Sequence, residues 1–157
     1  NKMGLDQYLS AKKYISRFDY SSDSYELSEA FRDTVDKLEI THYDRNGFAG
    51  ITIEIPMAYW RKCNQIHQWF VDEVQGGEDN CASYFVSRTH LECLRDLCRQ
   101  VLADPTLADE LLPPQSGFFF GSTDIDEFYF ADLRQTVLML DNCLESPYEY
   151  FEYHSSW

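Results

Sequence analysis

Gln115 to Leu133 reads QSGFFFGSTDIDEFYFADL, and this stretch constrains the fold more than any other. Gly117 and Gly121 bracket three phenylalanines, and glycine lets a backbone turn sharply without a Cβ clash. The triplet Phe118–Phe120 reads as a short buried strand. Ser122, Thr123 and Asp124 then offer side-chain oxygens to the free N–H groups of a helix start. From Ile125 to Glu145 one helical face collects Ile125, Phe128, Tyr129, Leu133, Val137, Leu140 and Leu144. A buried strand, a tight turn and a polar helix start thus follow one another, and Ser146-Pro147 closes the helix.

The rest of the chain repeats that alternation. Leu5 to Ser16 is strand-like. Tyr25 to Leu38 places Leu27, Phe31, Val35 and Leu38 at helical spacing. Asp44–Gly47 reads as a turn. Ile51–Ile55 alternates as a half-buried strand ended by Pro56. Met57 to Gln75 reads as a helix with Tyr59, Cys63, Ile66, Phe70 and Val74 inward and Gly76-Gly77 as its stop. Tyr84–Val86 is a strand. Ser87 or Thr89 caps a helix to Ala103, the Thr89/Glu92 spacing being that of a capping box. Residues 104–114 form a connection, and Tyr148–Tyr153 a last strand. The expected class is α+β (or α/β): a single layered domain with a central mixed sheet of about five short strands and about four helices.

Charge is distributed unevenly. The 157-residue chain carries a net charge of −14. Residues 100–157 hold eleven carboxylates and one strong base, Arg134. Such a segment repels phosphate, so direct nucleic-acid binding is disfavoured. It suits a partner with a basic surface, the plainer alternative being that it serves solubility. Aromatic residues make up 16% of the chain, which exceeds what a core of this size requires and favours interfaces. Asp126, Glu127, Glu149 and Glu152, with Tyr150 and Tyr153, are the candidate partner-binding residues. The segment around Tyr148–Tyr153 would recruit a partner as an edge strand, and sealed into the sheet it would not. A homodimer is a further option.

Cys63, Cys81, Cys93, Cys98 and Cys143 form no C-x-x-C pair and are irregularly spaced. That argues for reduced thiols in a cytosolic protein rather than a disulfide framework or a zinc site. No apolar run approaches membrane-spanning length. Asn1-Lys2 reads as a tag remnant ahead of a natural start at Met3.

A small-ligand site is the second functional class. Trp60, Asn64 and His67 share one edge of the expected 57–75 helix, with Arg61 beside them. His67 would act as an acid or base, Asn64 as its orienting group and Trp60 as a stacking face. With Gln115, Ser116, Ser122, Thr123 and Asp124 they would line a cleft for a nucleotide or sugar. Each has a plainer alternative: a boundary histidine bonded to backbone, a packed tryptophan, and helix capping in place of anion binding, because Asp124, Asp126 and Glu127 already complement the helix dipole. Neither a P-loop nor a nucleophile elbow is present. The carboxylates lack calcium-loop spacing. No catalytic residue, metal or cofactor is therefore assigned.

Three motifs carry a resemblance: Met3-Gly4-Leu5-Asp6-x-Tyr8-Leu9; Tyr59-Trp60-Arg61-Lys62-x-Asn64-x-Ile66-His67-x-Trp69-Phe70; and Gln115–Ser122 with the terminal Ser155-Ser156-Trp157. Together they resemble a group of small proteins encoded by bacteriophages and prophages, over nearly the whole chain after Met3. The resemblance implies no catalytic residue. It implies a phage product working in the cytoplasm of a bacterial host, where small accessory proteins bind and disable host machinery. A non-enzymatic inhibitor of a host protein, including anti-restriction or anti-CRISPR roles, is the leading expectation.

Overall fold

The computed structural model describes residues 4–21, 26–41, 47–117 and 120–157. Within these, four strands and five helices follow in the order β1 (Asp6–Ser16), α1 (Glu29–Lys37), β2 (Gly50–Arg61), α2 (Asn64–Glu73), β3 (Tyr84–Val86), α3 (Arg88–Ala103), α4 (Ala108–Leu111), α5 (Glu127–Glu145) and β4 (Phe151–Ser156). One turn of 3-10 helix, Pro105–Leu107, precedes α4. The architecture is α+β. The strands form one open sheet in the order β2-β1-β4-β3.

The sheet is antiparallel rather than mixed. Asp6 pairs with Ser156 and Ala11 with Phe151, while Tyr84 pairs with Tyr153 and Val86 with Phe151. Lys62 N–H donates to the Leu5 carbonyl (2.7 Å) and Arg17 N–H to the Ala49 carbonyl (2.9 Å), which sets β2 antiparallel to β1. The expected strand at Phe118–Phe120 falls largely outside the described residues, and Phe120 itself lies in a turn. Asp44–Asn46 and Asn1–Met3 also lie outside them.

The helix expected over Met57–Gln75 is corrected. Its first five residues continue β2, and α2 begins only at Asn64. The local pattern explains why: Ala58 and Trp60 are buried while Tyr59 and Arg61 are exposed, a period of two with β-favouring aromatics. Pro56 does not end the strand: β2 is a sheet edge, where proline is tolerated. Lys62, at φ 54°, then swings the chain from strand to helix. Gly121 (φ 85°) approaches that corner so closely that a Cβ there would lie 3.1 Å from the Lys62 Cβ.

Two compact units can be distinguished: residues 1–11 with 55–157, and residues 12–54. In the smaller, Phe31 and Val35 of α1 are buried, and Phe31 packs on Phe48 with ring centroids 5.6 Å apart. Ser28 caps α1, accepting from Phe31 N–H (3.0 Å) and donating to the Ser16 carbonyl (2.9 Å). The larger unit holds the main core. Leu9, Trp60, Val86, Phe151 and Tyr153 of the strands meet Ile66 and Phe70 of α2, Leu91 and Leu94 of α3 and Leu133 and Leu140 of α5. Phe70 lies flat on Tyr153, with centroids 3.9 Å apart and planes 7° from parallel.

Side chains cap the N-termini of α3 and α5. Ser87 and His90 form a capping box at α3, in place of the Thr89/Glu92 pair expected from spacing. The cap of α5 is Asp126, which accepts from Phe128 and Tyr129 N–H. No side chain of the Cys63 cap serves α2. Instead the buried Gln7 amide bonds both backbone groups of Cys63, accepting from its N–H (3.0 Å) and donating to its carbonyl (3.2 Å).

Candidate functional site

Asn64, the first residue of α2, is 2% exposed and spends its whole amide on backbone. Its Nδ2 donates to the carbonyls of Phe120 (3.1 Å) and Ser122 (2.9 Å), and its Oδ1 accepts from Gln115 N–H (2.9 Å). Asn64 thereby fastens the segment on both sides of the aromatic triplet. It positions a loop rather than orienting His67.

Trp60 and His67 are likewise interior. Trp60 stands on β2, not on a helix edge, and its Nε1 donates to Thr136 Oγ1 (2.8 Å). His67 is fully buried, with Nε2 2.8 Å from the Asp79 carboxylate and Nδ1 2.7 Å from the Tyr153 hydroxyl. With Asp79 as acceptor, Nε2 carries the proton and Nδ1 accepts from Tyr153. The orienting partner that spacing could not supply is therefore Asp79, twelve residues on. Burial pushes the Tyr153 phenol well above its ordinary pKa. The row links strand β4 to the loop after α2.

Of the remaining ligand candidates, Gln115 is half-buried, and Ser116, Ser122, Thr123 and Asp124 are exposed. Ser122 Oγ accepts from Asp124 N–H (3.0 Å), a local turn. Two depressions flank the segment. One, of about 310 Å³, brings Arg61, Ser122 and Asp124 together with Lys62, Asp126 and Asp132. Its cations and carboxylates are mixed, and Arg61 is held by Asp6 (2.9 Å). Burial raises the Asp132 carboxyl above its ordinary pKa, against a smaller opposing effect of a hydrogen bond with Cys63. The other depression, of about 260 Å³, lies beside Gln115 and is lined by Trp69, Asp72, Glu73, Leu97 and Glu110. Gln65 borders both. It is 4% exposed, and its Nε2 has no hydrogen-bond partner among the described residues. His67, Asn64 and Trp60 line neither.

Sequence spacing passed over Gln65, Trp69, Asp72 and Glu73. They sit on α2, spaced i, i+4, i+7 and i+8, so they share a helix flank. The signal was present but was eclipsed by the apolar stripe read through Tyr59 and Cys63.

The partner-binding candidates fall in two places. Asp126 and Glu127 stand exposed at the start of α5, beside Phe128, which is 72% exposed. Glu149 and Tyr150 are exposed on the approach to β4, and Glu152 is half-buried on β4. Tyr153 is not on that surface: it is fully buried under α2. β4 lies between β1 and β3, so it offers no free edge for an added strand. The sheet face opposite the core instead carries Tyr8 stacked on His154 (4.8 Å), and Phe85 against Tyr150 (4.7 Å).

Eight of the eleven carboxylates of residues 100–157 are exposed. Asp141 is bound by Arg95 (3.5 Å) and Arg99 (3.1 Å). Among the described residues, no group of three or more His, Cys, Asp or Glu side chains is placed to hold a metal ion, and no helix is long and apolar enough to cross a membrane. No family model, no curated protein and no solved structure matches the chain.

Proposed function

We propose that this protein is a non-catalytic docking module that binds a partner protein through an acidic surface studded with aromatic side chains. The observation that carries the reading is the exposure of eight carboxylates from residues 100–157, with Phe128 and Tyr150 standing open among them. Unburied carboxylates attract a basic surface over several ångströms, and exposed rings supply contact area once the surfaces meet. The buried state of His67, the one histidine read as a candidate base, supports a binding role over an enzymatic one. The resemblance to phage-encoded proteins makes a host protein the partner of this reading, and its inhibition the consequence.

The test is affinity capture of bacterial host proteins on the immobilised chain at low and at raised ionic strength, with each captured protein then purified and titrated. The reading expects at least one basic protein to bind with a Kd that weakens steeply as salt rises. An association insensitive to salt, or none in purified form, would remove it.

A further inference from the structure

The flank of α2 that carries Gln65, Trp69, Asp72 and Glu73 does not close onto its neighbours. Between α2, α3 and α4 lies the depression of about 260 Å³. A second, of about 380 Å³, shares Trp69, Glu73 and Leu97 with it and adds Asp96. The two form one groove. Its floor is apolar: Trp69, buried but still touching the depression, and the half-buried Leu97. Its rim is Asp72, Glu73, Asp96 and Glu110, all exposed. Among the described residues, no lysine or arginine lines either depression. Gln65 is part of the wall, and its Nε2 is a buried donor unpaired among the described residues.

Each of these points to one chemistry. An unpaired buried N–H₂ destabilises the free protein and is satisfied by an acceptor such as a peptide carbonyl. Asp96 is paired with Arg95 (3.2 Å), but Asp72, Glu73 and Glu110 have no lysine or arginine paired with them among the described residues, and such a rim attracts a cation. An aromatic and aliphatic floor suits the methylene stem of a long basic side chain, and the indole face attracts its charged end. An arginine or lysine in an extended peptide supplies all three: carbonyl, stem and cation.

We propose that this groove is the subsite that takes an arginine or lysine side chain of the partner, with a neighbouring backbone carbonyl received by Gln65. The proposal rests on the docking reading above and extends it to a second place on the surface, since of the four rim carboxylates only Glu110 lies within residues 100–157; it also names the chemistry of the occupant. Arginine fits better than lysine, because a planar guanidinium stacks on Trp69 while bonding two rim carboxylates.

The experiment titrates the isotopically labelled protein with a blocked Gly-Ser peptide holding one arginine, and with its citrulline counterpart, which keeps shape and loses charge. The expected result is saturable movement of the Gln65 side-chain amide and Trp69 indole resonances with the arginine peptide alone. Glu73→Gln and Asp96→Asn, both at exposed positions, should each weaken binding about two- to fivefold. Gln65→Leu should raise resistance to denaturant, because the orphaned donor is gone, and yet weaken the peptide; a purely structural Gln65 would give the first effect without the second. Equal response to the citrulline peptide overturns the proposal. So do shifts confined to Asp124–Phe128 or Glu149–Glu152, although that outcome leaves the docking reading standing. Absence of any shift with either peptide, together with failure to bind a basic protein, overturns both.

Discussion

The Nδ1 of His67 lies 2.7 Å from the hydroxyl of Tyr153, inside the core and beneath the flat contact of Tyr153 with Phe70. A hydrogen bond at that depth matters chiefly because neither atom has water to turn to. Tyr153→Phe keeps the stacked ring and deletes the hydroxyl, leaving Nδ1 without its partner. We expect a loss of about 1–3 kcal/mol in urea unfolding, with the fold intact. An unchanged midpoint would show that the pair contributes nothing.

Asn64 makes three bonds to the backbone of the segment from Gln115 to Ser122. Asn64→Ala should cost about 2–4 kcal/mol and speed hydrogen exchange at the Gln115 amide selectively. Asn64→Asp keeps an acceptor for Gln115 and loses both donors, so exchange at Gln115 should rise less than in the alanine variant.

Asp132 gives a pH dependence with a definite sign. Its carboxyl is raised above its ordinary value, mainly by burial, so the folded state binds its proton more tightly than the unfolded chain does. Such a group disfavours folding when ionised. Its penalty is full above the folded pKa and is relieved as the pH falls through it towards the unfolded value near 3.8. Asp132→Asn should therefore stabilise the protein at neutral pH, and the advantage should shrink on acidification. Chemical unfolding at a series of pH values measures it. A difference that stays constant with pH would contradict the assignment.

The thiols divide by burial. Cys63, Cys98 and Cys143 are buried, and burial pushes Cys98 up to about 12 and Cys143 to about 11. Cys81 and Cys93 are exposed. A thiol reagent at neutral pH should label two cysteines rapidly in the native protein and all five in denaturant. Mass spectrometry of the labelled protein counts them.

How much of this was legible in the sequence differs by element. The long helix ending at Glu145 declared itself because its apolar stripe runs unbroken through Leu133 and Leu140. The stretch Met57–Arg61 misled because Tyr59, Cys63, Ile66 and Phe70 also fit a helical period. What decided between the two periods was pairing with β1, which the alternation of buried Ala58 and Trp60 with exposed Tyr59 and Arg61 fits. The His67–Asp79–Tyr153 row joins three distant points of the chain, and no local spacing encodes it. The segment around Asn64 and Ser122 was read as one wall of a ligand cleft against a 57–75 helix, whereas residues 57–61 are strand and Asn64 bonds backbone there. The groove went unread because Gln65 is a polar residue on a buried flank, and pattern analysis treats such a residue as surface.

Charge-matched variants test the central claim most directly. One set neutralises exposed carboxylates of the C-terminal third, as Asp124→Asn, Glu127→Gln and Glu149→Gln. The other neutralises three exposed carboxylates of α1, as Glu29→Gln, Asp33→Asn and Asp36→Asn. The Kd for the captured basic partner at low ionic strength is the measurement. The account predicts a clear loss of affinity in the first set and near-native binding in the second. Equal losses in both, or none in the first, would show that the acidic C-terminal third is not a docking surface.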